Sequence, residues 1–180
     1  MTEKGVKTMP KTEYVIEPGK QEITSTTVLD APRELVWKAW SDPQHLKRWW
    51  APRPYQTPEC EMELKPGGKF YTRMTGPDGF DFRGTGCFLE VVPGEKVVWT
   101  SALGPGYRPQ DVDPQDCGGF PFTAIVTLED NGDGRTRYKA VALHRNESDR
   151  EAHARMGFHE GWGTCADQLG EVAAELAQPA

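Results

Sequence analysis

The C-terminal stretch, residues 148–177, constrains the rest of this chain more than any other segment. Trp162, Cys165, Ala166, Leu169, Val172, Ala173 and Leu176 recur at intervals of three and four residues, the period of an amphipathic helix. Ala152, Met156 and His159 extend that face upstream, and Glu151, Arg155, Glu160, Asp167, Glu171 and Glu175 occupy the opposite one. Ser148 followed by Glu151 reads as a capping box. A single helix of about 30 residues would measure roughly 45 Å, enough to cross a domain. Gly157, Gly161, Gly163 and Gly170 interrupt it. Each costs about 1 kcal/mol relative to alanine, and each would let another element or a ligand approach the helix backbone.

An apolar stripe of that length has to be covered, and the upstream chain supplies strands. Residues 22–29 alternate and are rich in β-branched side chains, which predicts a strand. Asp30-Ala31-Pro32 then opens a helix with Leu35, Val36, Ala39 and Trp40 on its inner face, and Ser41-Asp42-Pro43 opens a second short helix over residues 44–50. Strands follow at residues 57–64, 69–75, 81–92, 96–103, 122–129 and 136–144, separated by turns rich in Gly, Pro and Asn. Gly84 and Gly86 mark bends in the longest of them. Residues 1–20 are polar and aperiodic and read as a mobile arm, with Tyr14, Val15 and Ile16 able to add a short edge strand. Residues 104–120, rich in Pro, Gly and Asp, read either as a lid or partner-binding loop or as a plain surface excursion. The expected class is α+β: one domain over residues 21–177, its antiparallel sheet wrapped around the C-terminal helix.

Charge and motifs then exclude several functions. A net charge of −6 and a pI near 5.3 argue against nucleic acid or an anionic membrane as the main partner. No apolar run reaches the length of a membrane span and no signal-peptide core is present, so a soluble cytoplasmic protein is expected. Cys60, Cys87, Cys117 and Cys165 are widely spaced and read as free thiols. No P-loop, dinucleotide fingerprint, G-x-S-x-G or H-E-x-x-H is present, so no cofactor is expected. His144, His153, His159 and Cys165 have the wrong separations for a zinc site, and no metal is expected.

Strand alternation groups Phe70, Thr72 and Met74; Phe82, Gly84, Gly86 and Phe88; Val97, Trp99 and Ser101; Phe122, Ala124 and Val126; and Tyr138, Ala140, Ala142 and His144, each set on one face of its strand. Set against the helix, these residues either line an apolar, aromatic pocket or fill a core. Of Trp49 and Trp50, at the end of the second short helix, one anchors that helix and the other walls the cavity mouth. His159, flanked by Met156 and Trp162, is the best polar candidate, as a ligand contact or base or as a satisfied structural histidine. The candidate cavity residues are Trp49, Trp50, Phe70, Phe82, Trp99, Phe122, Tyr138, His144, Met156, His159 and Trp162. Arg73, Asp81, Arg83 and Glu90 read as cross-strand surface pairs.

Several motifs in order carry a resemblance. Val28-Leu29-Asp30-Ala31-Pro32, Val36-Trp37-Lys38-Ala39-Trp40-Ser41-Asp42-Pro43, Lys65-Pro66-Gly67-Gly68-Lys69-Phe70, Glu90-Val91-Val92-Pro93 and Met156-Gly157-Phe158-His159-Glu160-Gly161-Trp162 resemble the activator of heat-shock-protein-90 ATPase homologue family. That family is a branch of the START-like, birch-pollen-allergen-like superfamily. The resemblance implies the helix-grip fold with an internal cavity, and a bound apolar or aromatic small molecule as partner. It leaves open an enzyme of the cyclase or hydrolase kind using His159, and a co-chaperone-like module with a weaker chaperone interaction. A homodimer is the further partner expectation, from sheet edges and an exposed tryptophan.

Overall fold

The computed structural model describes residues 12–112 and 119–179. The first strands are β1 (Glu13–Val15) and β2 (Glu22–Leu29). In β2 the side chains of Ile23, Ser25, Thr27 and Leu29 are buried and the intervening ones are partly exposed, as a half-buried strand requires. Two short helices follow, α1 (Arg33–Ser41) and α2 (Pro43–Leu46). Asp42 starts α2: its carboxylate accepts from the Gln44 amide at 2.8 Å, with Pro43 at the first helical position. Val36, Ala39 and Trp40 are the buried face of α1.

The chain then lays down β3 (Gln56–Met62), β4 (Lys69–Thr75), β5 (Asp81–Val92) and β6 (Lys96–Thr100) as successive antiparallel neighbours. After a small hairpin, β7 (Leu103–Gly104) and β8 (Arg108–Pro109), come β9 (Phe122–Asp130) and β10 (Thr136–His144). One eight-stranded antiparallel sheet results, in the order β1-β2-β10-β9-β6-β5-β4-β3. The register of β5 against β6 shifts between Phe88 and Glu90, a bulge just after the glycine-containing stretch.

The C-terminal stretch is not one helix. It forms α3 (Glu147–Arg155) and α4 (Phe158–Leu176), broken at Gly157, whose φ of 89° lies in the left-handed region open to glycine. The cap is also displaced: Asn146, not Ser148, accepts from the Asp149 amide at 2.8 Å. Asparagine is at least as good a cap as serine, and its choice here starts α3 earlier than the capping-box reading does.

Helix α4 fills the concave side of the sheet. Its buried Ala166, Leu169, Val172 and Ala173 share one core with Val36, Ala39 and Trp40 of α1, Phe70, Phe88, Val97, Trp99, Ala124, Val126, Tyr138 and Ala140 of the sheet. A smaller cluster of Ile23, Ala142 and Phe158 lies beside it, with Tyr14, Ile16, Phe122 and Trp162 packed against it. No described helix is long and apolar enough to cross a membrane.

Of the expected arm over residues 1–20, residues 1–11 lie outside the described part, and Glu13–Val15 pair with Thr24–Thr26 of β2. Residues 104–120 begin as ordered chain. The Gly106 amide donates to the Gly67 carbonyl at 2.8 Å, and the Gln110 side-chain amide donates to the Thr85 carbonyl at 2.6 Å and the Ser101 carbonyl at 2.9 Å. Residues 113–118, the middle of the 104–120 segment read as a lid or partner-binding loop, lie outside the described part.

Candidate functional site

The aromatic side chains between sheet and helices form two groups. The first surrounds the end of α2. Phe70 stacks on Phe88 at 4.9 Å between ring centroids, meets Trp50 at 5.1 Å and Trp99 at 5.3 Å, both edge-on, and lies 6.0 Å from Trp40. Trp49 packs 5.9 Å from Trp40 and 5.6 Å from Trp50. Two of the indole tips are satisfied. The Trp49 indole donates to the Ala39 carbonyl at 2.9 Å, and that of Trp40 to the Tyr138 hydroxyl at 3.3 Å.

Gln168 of α4 clips the following loop to this group. It is 2 % exposed. Its amide nitrogen donates to the carbonyls of Trp49 and Ala51 at 3.1 and 2.8 Å, and its oxygen accepts from the Arg53 amide at 3.0 Å. The Cys165 thiol points at the Trp50 carbonyl at 3.2 Å, and burial pushes it up to about 12. Outside, Arg48 pairs with Glu175 and Arg53 with Glu171. These rings pack on one another. Two clefts of the described surface, of about 160 and 340 Å³, are lined by Thr27–Asp30 with one flank of α4, and by Arg33 and Glu95 with residues of β6 and β9. Neither is lined by any of the candidate cavity residues.

The second group lies at the other end of α4. The alternation of β10 puts Thr136, Tyr138, Ala140, Ala142 and His144 inward, and the Asn146 cap turns the chain into α3, which carries His153 back over the sheet. Both imidazoles are buried, at 6 and 7 % exposure. His144 Nδ1 lies 2.9 Å from the Gln21 carbonyl oxygen, and His144 Nε2 lies 2.8 Å from His153 Nδ1. The His153 ring sits 4.8 Å from Phe122, 4.8 Å from Phe158 at right angles, 5.2 Å from Phe120 and 6.0 Å from Trp162. Phe158 and Trp162 stack at 4.3 Å.

Hydrogen-bond direction in this pair is dictated by its first member. A carbonyl only accepts, so His144 Nδ1 carries the proton. A neutral imidazole has one N–H, so His144 Nε2 accepts, His153 Nδ1 donates, and His153 Nε2 is left with a lone pair. Both rings are held neutral. Burial pushes His153 down to about 3, with the adjacent His144 adding to it. Burial also lowers His144 and Arg150 adds to this, while the Gln21 carbonyl and Asp149 act in the opposite sense. Arg150, 7 % exposed, donates to the Lys20 carbonyl at 2.8 Å, and its Nε is buried without a partner.

Of the candidate residues, Phe122, His144 and Trp162 come together here, and Trp49, Trp50, Phe70, Trp99 and Tyr138 join the first group. Phe122 touches both, with Trp99 at 5.3 Å. Phe82 pairs across β4 with Met74 and belongs to neither core cluster. Met156 and His159 are corrected: Met156 is 50 % exposed, and His159 is exposed with its ring 4.6 Å from Tyr14. The reason is the break at Gly157. A continuous helix would carry the stripe of α4 back through positions 159 and 156, but the two helices have separate phases, and α3 buries Arg150 and His153 instead. His153, Phe120 and Phe158 are the residues missed. The signal for them was Gly157 read as a helix stop, with Phe158 as the first apolar anchor of a new helix. Among the described residues no group of three or more His, Cys, Asp or Glu is placed to hold a metal ion.

A curved antiparallel sheet gripping a C-terminal helix, with two short helices after the first long strand, defines the helix-grip class. Within it, this chain belongs to the activator of Hsp90 ATPase homolog 1-like protein family, whose model matches residues 30–174. Among solved structures it is similar to a Nitrosomonas europaea protein, at 38 % identity over 89 % of this chain and 98 % of that one, with a TM-score of 0.81. An Arthrobacter aurescens protein is 27 % identical over 92 % of this chain and 93 % of its own, with a TM-score of 0.73. A Mycobacterium smegmatis protein, 22 % identical over 93 % and 99 % of the two chains, shares the fold at a TM-score of 0.75. No curated protein matches the chain.

Proposed function

We propose that this chain binds an apolar or aromatic small molecule at the histidine end of the grip, against His153 and the rings of Phe120, Phe122, Phe158 and Trp162. The observation that carries the reading is the His144–His153 pair: two titratable side chains buried among aromatic rings, with a lone pair left over on the inner one. Apolar walls with one placed polar atom are the usual make-up of a small-molecule site. The ligand enters by displacement of α3, whose buried side chains are Arg150 and His153 and which is joined to α4 through Gly157. Binding fits better than proton-transfer catalysis, because a base works best with a pKa near the working pH, and His153 sits at about 3.

Native mass spectrometry of protein purified from its own host, before and after denaturation, tests the proposal. The expected result is a stoichiometric small molecule that leaves on unfolding. Bare protein, whether one chain or two, counts against it.

A further inference from the structure

Resting on the ligand-binding reading above, we infer that the molecule taken at the histidine end is a hydroxylated aromatic, whose O–H donates to His153 Nε2. The argument is geometric. The Gln21 carbonyl, at 2.9 Å from His144 Nδ1, sets the tautomer of His144, and the 2.8 Å contact from His144 Nε2 passes that choice to His153 Nδ1. The chain therefore ends in an acceptor. A carbonyl, ether or carboxylate oxygen placed there would set lone pair against lone pair, whereas a hydroxyl supplies the missing proton. A positively charged His144–His153 pair would reverse the last atom to a donor, but it would place the charge beside buried Arg150, and the facing Asp149 is already bonded to Arg145 at 2.7 Å. The rings around His153 present aromatic faces and edges at 4.8–6.0 Å, which suit a flat aromatic partner. His144 acts through His153 and is a positioning residue.

The probes are naphthol, methoxynaphthalene and naphthoate, titrated into the full chain at neutral pH and followed by tryptophan fluorescence, with nitrogen NMR of the imidazole rings alongside. Naphthol is expected to bind at least about tenfold more tightly than methoxynaphthalene, the cost of one buried acceptor left unpaired, and naphthoate most weakly. His153→Phe keeps the aromatic surroundings and should erase the difference between naphthol and methoxynaphthalene. The NMR spectrum of the unmodified chain should show His153 protonated on Nδ1 alone. Equal affinities for naphthol and methoxynaphthalene, or a proton on His153 Nε2, would overturn the inference and leave the small-molecule reading standing. Binding of none of the three would overturn both. Should His153→Phe fail to fold, the tautomer in the spectrum and the probe ranking on the unmodified chain decide.

Discussion

The two ends of α4 are held by different chemistry. Toward its C-terminus, small and branched apolar side chains share a core with the aromatic rings of the first group, and Gln168 satisfies three backbone groups of the Trp49–Arg53 stretch at once. The Trp40 and Trp49 indoles there have partners inside the protein. Toward its N-terminus, the chain passes through Gly157 into α3, whose buried side chains are an arginine with an unpartnered Nε and a neutral histidine. Apolar burial is additive and hard to undo, whereas an element held by a few polar contacts opens at lower cost. The same fold thus carries a closed end that sets its stability and a poised end where, on the function proposed above, a ligand would exchange.

The contrast can be broken first where it is strongest. Trp40→Ala removes a side chain that is 1 % exposed at the centre of the closed end, and should cost about 3–5 kcal/mol in urea unfolding. Gln168→Leu keeps the volume but strands the carbonyls of Trp49 and Ala51 and the Arg53 amide. It should cost about 2–3 kcal/mol by the same measurement.

At the poised end the signature is pH. The folded-state pKa of His153 lies near 3, below its ordinary value of 6.5, so the unfolded chain takes up the proton first as pH falls. Stability should be intact above about pH 6.5 and decline toward pH 3 by about 1.4 kcal/mol per pH unit for this one proton. His153→Phe should flatten that slope, and unchanged acid sensitivity would contradict the buried neutral pair. Gly157→Ala forces a Cβ into the left-handed region and should cost about 1 kcal/mol, read as a shift in melting temperature. A gain in stability would mean that α3 and α4 prefer to run on as one helix.

Most of the closed end was legible from residue order. Alternation in β4, β9 and β10 groups Phe70 with Thr72, Ala124 with Val126, and Tyr138 with Ala140 on one face of each strand, and the structure turns those faces inward. Ser41-Asp42-Pro43 starts α2 as expected. The three- and four-residue spacing of Ala166, Leu169, Val172 and Ala173 is the buried stripe of α4. The poised end was not legible, because periodicity reports one helix phase and cannot report a break inside it. A glycine at 157 fits a weak spot in a helix as well as a stop, and only its positive φ decides. Once the phase is lost, His159 moves out and His153 moves in. The pairing of His144 with His153 joins a strand end to a helix and depends on the Asn146 cap, which competes with Ser148 two residues on. Local sequence does not arbitrate between two good caps.

Hydrogen–deuterium exchange on the full chain, with and without naphthol, tests the division between the two ends most directly. The account predicts that α3 and the first residues of β9 exchange faster than the Trp49–Arg53 stretch without ligand, and that naphthol slows them and leaves that stretch and the C-terminal half of α4 unchanged. Protection centred on Trp49, Trp50 and Gln168 would contradict it, by moving the binding site into the end that we describe as closed.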